Sequence, residues 1–365
     1  MEAFSDLGEV TLIPGRNIEP QHLLDCQCLL VRTVTSIDAN LLENTPVEFV
    51  GTATIGTDHV DFDYLKNNNI GFSNAAGCNA EAASEYVISG LFALSERHGF
   101  DPFSLKAGIV GYGNVGSRVD QKLQALGIET LLNDPPLETA GTSDQVFVDL
   151  ETILAECNFV TLHVPLSHTG KYPTYHLFDQ SRLYKLRQNC LLVNAARGPV
   201  IDNPALLAVI ETRPDLLVFL DTWENEPDIT RELLDKVSLA TPHIAGYSVE
   251  GRLRGTQMIL DAACEFFSKT ADWKMSQLLP EVLPMKVIDS SVDLEFWQTL
   301  FRNHHDIWQD HLSLRQTRHL DQMDFARHFE SLRRVYEQRF EYERYRLPET
   351  PNKKAAAIAR QLLFH

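Results

Sequence analysis

The chain has 365 residues, 44 % of them hydrophobic and 22 % charged, with a formal net charge of −18 at pH 7. That length exceeds what one hydrophobic core usually serves, so two or three domains are expected. The acidic balance argues against a nucleic-acid partner, and the lack of a long uninterrupted apolar run argues against a membrane-spanning helix.

The opening residues Met1-Glu2-Ala3-Phe4-Ser5-Asp6 carry neither the basic region nor the apolar core of a signal peptide. The cysteines at 26, 28, 78, 157, 190 and 264 are scattered, and only Cys26 and Cys28 lie close in sequence. Reduced thiols in a cytoplasmic protein are the expectation, with no metal site.

Short apolar runs alternating with helical patterns predict an α/β fold with parallel sheets. Strands are expected at residues 10–13, 28–31 and 48–52, with helical pieces at 41–44 and 62–68 between them. Asn79 then stands where it would cap a long helix over 80–97, with Val87, Leu91 and Leu94 on one stripe. A boundary is placed near Gly99-Phe100-Asp101-Pro102.

A second α/β run follows. Strands are expected at 107–111, 129–133, 159–163, 191–194, 217–221 and 238–240, and helices at 115–126 and 150–155. This is read as a doubly wound dinucleotide domain over residues 99–249, with its ligand at the carboxyl ends of the strands. A helix over 249–269, with Met258, Ala262 and Phe266 spaced by four, is expected to return to the first domain. That domain then comprises residues 1–98 and 250–280.

The first strand of the series runs into Gly111-Tyr112-Gly113-Asn114-Val115-Gly116. Gly111 suits the tight turn, Gly113 the close approach of a pyrophosphate, and Gly116 the packing of helix on strand. Asp134, eighteen residues past Gly116, ends the next strand. A carboxylate there accepts from ribose hydroxyls and repels a 2′-phosphate, so NAD is expected over NADP.

Three phrases then place chemistry after strand ends: Asn194-Ala195-Ala196-Arg197-Gly198, Asp221-Thr222-Trp223-Glu224-Asn225-Glu226-Pro227 and Pro242-His243-Ile244-Ala245-Gly246. Arg197, Glu226 and His243 stand 29 and then 17 residues apart. The arginine can grip a carboxylate with two parallel hydrogen bonds. The histidine can exchange a hydroxyl proton while the glutamate fixes its tautomer. Together they describe hydride transfer between a nicotinamide and a 2-hydroxy acid. Asp221 is read as either a nicotinamide contact or a strand-end cap.

Beyond Pro280 the character changes: residues 293–346 hold nine arginines and many aromatics. Trp297, Phe301, His304 and Trp308 are spaced for one helical face, as are Phe325, Phe329, Leu332 and Tyr336. His304-His305 lacks a ligand partner at metal-site spacing and reads as a packed or solvated face. Residues 281–365 form a docked or dimer-forming appendage.

The glycine loop, Asn-Ala-Ala-Arg-Gly with Val200 and Asp202 after it, Glu226-Pro227 and Pro242-His243 resemble the D-isomer-specific 2-hydroxyacid dehydrogenase family. Further phrases around Arg32-Thr33, Thr54, Cys78-Asn79 and Tyr247 are similar to one branch of it. That branch acts on a small phosphorylated hydroxy acid. The resemblance implies Arg197, Glu226 and His243 as catalytic residues, and Arg32, Thr33, Thr54 and Tyr247 on the substrate.

It also implies Asp134, Val164, Ala195, Asp221 and Gly246 beside the cofactor, with Val164 as an apolar or backbone contact. It implies a flavodoxin-like substrate domain and a C-terminal α+β domain that makes a homodimer. The family begins roughly a dozen residues earlier, so this chain is expected to open inside a helix without that domain's first strand. Two other readings stay open: a relative acting on another hydroxy acid such as 3-phosphoglycerate, and a binding protein that senses NAD.

Overall fold

Short aliphatic runs, most of them closed by a capped helix start, wind two separate parallel sheets. The computed structural model describes all residues except Met1, Thr33, Glu337, Gln338 and His365. The backbone divides into two compact units, residues 1–79 with 248–280 and residues 80–247 with 281–365.

The first unit has three parallel strands, β1 (Cys28–Val31), β2 (Phe49–Thr52) and β3 (Gly71–Asn74), in that order. Asp38 and Asp61 start the connecting helices Ala39–Leu42 and Phe62–Asn67 by accepting from the N–H groups of Leu41 and Tyr64. Helix Val249–Phe266 buries Gly255, Ile259 and Ala263.

Two details differ from expectation. Residues 10–13 form no strand: Leu12 is 69 % exposed, and no strand among the described residues pairs with them. Alternating apolar residues without a ladder partner gain nothing from extension. The row Met258, Ala262 and Phe266 is not the buried stripe either, since Phe266 is 44 % exposed and the buried row lies one residue over. β3 escaped the sequence because Gly71-Phe72-Ser73-Asn74 contains no β-branched residue.

The second unit carries a six-stranded parallel sheet: β4 (Lys106–Val110), β5 (Glu129–Asn133), β6 (Phe159–Leu162), β7 (Leu191–Asn194), β8 (Leu217–Leu220) and β9 (Leu239–Ala240). The order is β5-β4-β6-β7-β8-β9. The chain moves outward from β4 to β5 and then returns across β4 to β6, a topological switch point where such sheets bind ligands.

Helix Ala80–His98, expected in the first domain, belongs to this second unit. It is buried continuously from Ala82 to Phe92. A helix buried all round needs cover on every side. Its Gly90 lies where a Cβ would meet the Phe219 ring of β8 at 2.5 Å, and Phe92 stacks near Phe301 with ring centroids 4.8 Å apart. Asn79 does not cap it, because its Oδ1 is buried without a hydrogen-bond partner.

Residues 281–365 are part of the same compact unit. They form helices Asp293–His304, Ile307–Arg315, Gln322–Arg334 and Lys353–Gln361, plus a strand pair, Leu283–Pro284 with Tyr345–Arg346. Trp308 is not on the helix of Trp297, Phe301 and His304. Asp306 opens a new helix by accepting from the Trp308 N–H at 3.2 Å. Tyr336 likewise lies past the end of the helix that carries Phe325, Phe329 and Leu332.

His311 from this segment accepts the Ala240 N–H of edge strand β9 through Nδ1 at 3.0 Å. His304 hydrogen-bonds the Phe340 carbonyl through Nε2 at 2.8 Å, among the rings of Tyr342, Tyr345 and Phe364. Burial holds both imidazoles neutral, pushing His304 down to about 3 and His311 down to about 4. These values lie below the unfolded one, so the folded chain binds fewer protons. The stability they contribute is present above about pH 6.5 and is lost as pH falls toward the folded values. Between pH 7.5 and 5.5 each histidine is expected to remove about 1.4 kcal/mol. Urea unfolding at the two pH values measures it; equal midpoints would sink the assignment.

Candidate active site

Every cofactor-side and catalytic residue expected from the sequence stands beyond the carboxyl end of a strand of the six-stranded sheet or in the loop that follows. The glycine loop leaves β4 at the switch point. Gly111 has φ +94°, and a Cβ there would lie 2.7 Å from the His163 carbonyl carbon and 2.8 Å from the Val164 nitrogen. A Cβ on Gly116 would come within 1.9 Å of the Gly111 carbonyl oxygen, so only glycine lets helix Asn114–Ala125 seat on β4.

Gly113, the helix N-cap, has nothing within 4 Å of its Cβ direction. Asn114 and Val115 fill the first turn. An open approach to the N–H groups of a helix start suits a pyrophosphate. Buried His163 Nδ1, which has no hydrogen-bond partner, adds a polar atom beside this loop. Burial pushes that imidazole down to about 3. The residues present fit a dinucleotide.

Asp134 does local work first: Oδ2 accepts the Tyr112 N–H at 2.8 Å, and Oδ1 caps helix Pro135–Ala140 at Leu137 at 3.0 Å. The glycine loop is therefore tied to the residue expected at the ribose. A carboxylate offers about four acceptor sites, so capacity for hydroxyls remains.

Two of the three side chains expected to be catalytic are joined by a hydrogen bond. His243 Nδ1 meets Glu226 Oε2 at 2.7 Å, and Glu226 Oε1 accepts the Trp223 N–H at 2.8 Å. Burial pushes the Glu226 carboxyl up. The neighbouring His243, the Trp223 N–H and Arg333 outweigh that and hold it below its ordinary value. An ionised glutamate accepts a hydrogen bond from Nδ1–H and so keeps the proton there, which leaves Nε2 as the base.

His243 has φ +56°, a backbone conformation that costs about 1 kcal/mol for a residue with a Cβ. Asp221 holds it there. Its buried carboxylate accepts from Thr241 Oγ1 at 2.6 Å and from the N–H groups of Ile244 at 2.9 Å and Ala245 at 3.0 Å. Burial pushes the Asp221 carboxyl up against these donors. Of the two readings of Asp221, the cap is the one these bonds describe.

Arg197 follows β7, with Nη1 donating to the Ala196 carbonyl at 2.8 Å. Asn194 shapes its loop by donating to the Arg197 carbonyl at 2.9 Å and accepting the Ala196 N–H at 3.1 Å. A Cβ on Gly198 would lie 1.8 Å from the Trp223 carbonyl oxygen, so the arginine and glutamate loops are in backbone contact.

His176 reinforces that contact between Glu224 at 2.7 Å and Asp202 at 3.5 Å. These three residues have the side chains of a metal site, yet each imidazole nitrogen already faces a carboxylate. Val164 and Ala195 are half-buried after β6 and β7, and Gly246 and Tyr247 follow the histidine. On the first unit Arg32 is exposed after β1, and Thr54 bonds Thr52 Oγ1 at 2.8 Å. Thr33 lies outside the described residues.

Sequence reading missed Trp223, whose indole donates to the Thr241 carbonyl at 2.9 Å and ties the glutamate phrase to the histidine phrase. It also missed Arg333 and Arg339, for which no local motif exists.

This sheet, glycine loop and Arg–Glu–His arrangement are those of the NAD-dependent 2-hydroxyacid dehydrogenases. The family profile described as "D-isomer specific 2-hydroxyacid dehydrogenase, NAD binding domain" matches residues 76–245. The chain is 43 % identical over 345 residues to erythronate-4-phosphate dehydrogenase of Proteus mirabilis, covering 93 % of this chain and 90 % of that one. The enzyme of that name from Hahella chejuensis is 43 % identical over 358 residues, covering 98 % and 93 %. The chain belongs to the erythronate-4-phosphate dehydrogenase family. In fold it is similar to NAD+-bound 3-phosphoglycerate dehydrogenase of Entamoeba histolytica, with TM-score 0.57 and 24 % identity over 68 % of this chain and 82 % of that one.

Proposed function

We propose that this chain oxidises 4-phospho-D-erythronate to (R)-3-hydroxy-2-oxo-4-phosphobutanoate with NAD, as a step of pyridoxal 5′-phosphate biosynthesis. The observation that carries the chemistry is the 2.7 Å His243–Glu226 pair on an NAD-binding sheet. The substrate rests on the relatives' shared name at high coverage.

NAD, when bound, supplies the carbon that accepts the hydride from C2. Gly111, Gly113, Asn114, Val115 and Gly116 would hold its pyrophosphate, and Asp134 its ribose, with Val164, Ala195, Asp221 and Gly246 alongside. His243 Nε2 takes the C2 hydroxyl proton as the C2–H bond breaks, and the oxygen becomes a carbonyl. Glu226 stabilises the imidazolium formed. Arg197 holds the C1 carboxylate and favours charge at the developing carbonyl. Arg32, Thr33, Thr54 and Tyr247 are the proposed substrate contacts.

NADH formation from 4-phospho-D-erythronate tests the reading. A higher kcat/KM for 3-phosphoglycerate would move the substrate, and no NADH from any hydroxy acid would leave a binding protein. We further propose a cytoplasmic homodimer through residues 281–365. Exposed Val287, Val292, Leu312, Met323 and Val335 support the dimer, and sedimentation equilibrium tests it. No helix among the described residues is long and apolar enough to cross a membrane.

A further inference from the structure

We propose that the C-terminal segment is a working part of the catalytic centre, with Arg333 a positioning residue that holds the Glu226–His243 pair in the charge state for proton transfer. The inference rests on the general-base role given to His243 above.

Arg333 closes helix Gln322–Arg334 and brings Nη1 to 4.0 Å from Glu226 Oε2, the oxygen that meets His243. Its guanidinium lies 6.0 Å from the centre of the Tyr247 ring, and its Nε is buried without a hydrogen-bond partner. The side chain is about one-third exposed, so it is not a core brace.

Six residues on, Arg339 grips the same loop from behind. It donates to the Tyr247 carbonyl at 3.1 Å, to that of Ile244 at 3.4 Å and to that of Ala245. Asp221 takes the loop's N–H groups and Arg339 its carbonyls, so the strained His243 backbone is held on both polar faces. Arg339 is itself set by the Tyr86 ring, 4.5 Å away. Tyr86 donates to Asp310 at 2.6 Å, and His305 and Tyr336 meet the same carboxylate at 2.6 and 3.1 Å.

Asp221 from the end of β8, Arg333 from the tail helix and Tyr247 on the histidine's own loop are charged or titratable groups beside the pair or its loop, and Arg197 stands on the loop whose Gly198 abuts Trp223 and Glu224. Arg339 and Asp310 stand one layer behind. Arg333 brings a cation to 4.0 Å from the pair's shared oxygen. It helps keep Glu226 ionised and opposes the addition of a further positive charge to the pair.

The test compares Arg333→Met with Arg333→Lys. In the methionine variant the acid limb of kcat/KM for hydroxy-acid oxidation should move up by roughly one pH unit, while lysine keeps the wild-type profile. The His243 ring titration, followed by NMR without substrate or NAD, should move in the same direction. That readout survives even if the substrate assignment fails. An unmoved ring titration in the methionine variant, with thermal melting unchanged, would overturn the proposal. So would a higher substrate KM with an unmoved acid limb, which would make Arg333 a substrate ligand.

Discussion

Replacing His243 with alanine is expected to lower kcat by roughly two to four orders of magnitude while leaving NAD affinity within about twofold. The asymmetry follows from location. The cofactor cradle is built by the loops after β4 and β5, whose tie is the Asp134–Tyr112 hydrogen bond. His243 belongs to the loop after β9, and its side chain bonds Glu226. Truncation removes the proton acceptor without touching the glycine loop. The backbone hydrogen bonds that fix this loop come from Asp221 and survive the change. Steady-state kinetics with a fluorescence titration of NAD measures both quantities; near-normal turnover would remove the proposed base.

Gly198→Ala should cost about 2–3 kcal/mol of stability and lower kcat/KM about a hundredfold. The new methyl carbon would stand 1.8 Å from the Trp223 carbonyl oxygen and 2.5 Å from the Glu224 nitrogen. Both are backbone atoms, so no rotamer change relieves the clash. The loop of Arg197 must move away from the loop of Glu226, and His176 and Asn203 can no longer bridge them as they do now. Alanine at Gly127, which has no neighbour within 4 Å but a positive φ, is the comparison: it carries backbone strain without a clash. Equal turnover in the Gly198→Ala and wild-type proteins would contradict the contact.

The placement of Arg197, Glu226 and His243 was legible because these residues follow strand ends, and strand ends are marked by aliphatic runs closing on Asn194, Asp221 and Thr241. The glycine loop was legible for the same reason. The unit boundary was not: helix Ala80–His98 shows an apolar stripe, but part of its surface is covered by residues from 281 onward, which no local pattern announces. The capping bonds of Asp221 and Asp134 were partly hidden, since a carboxylate that caps and one that binds a ligand look alike in sequence. Arg333 was invisible. Its importance comes from a contact 107 residues away in the chain, and the nine arginines of that segment are otherwise indistinguishable.

The grip of Arg339 on the histidine loop also bears on when the protein becomes active during its own synthesis. Asp221 meets the histidine loop across 23 and 24 residues, but the Arg339–Ala245 bond spans 94 residues and the Tyr342–Glu85 bond 257. Contacts of such separation form late, after local structure. A nascent chain that has just emerged through Tyr247 carries Arg197, Glu226 and His243, yet the carbonyls of its histidine loop still await Arg339. Dehydrogenase activity should therefore mature with the carboxyl terminus, and the tail acts as a timer as much as a brace.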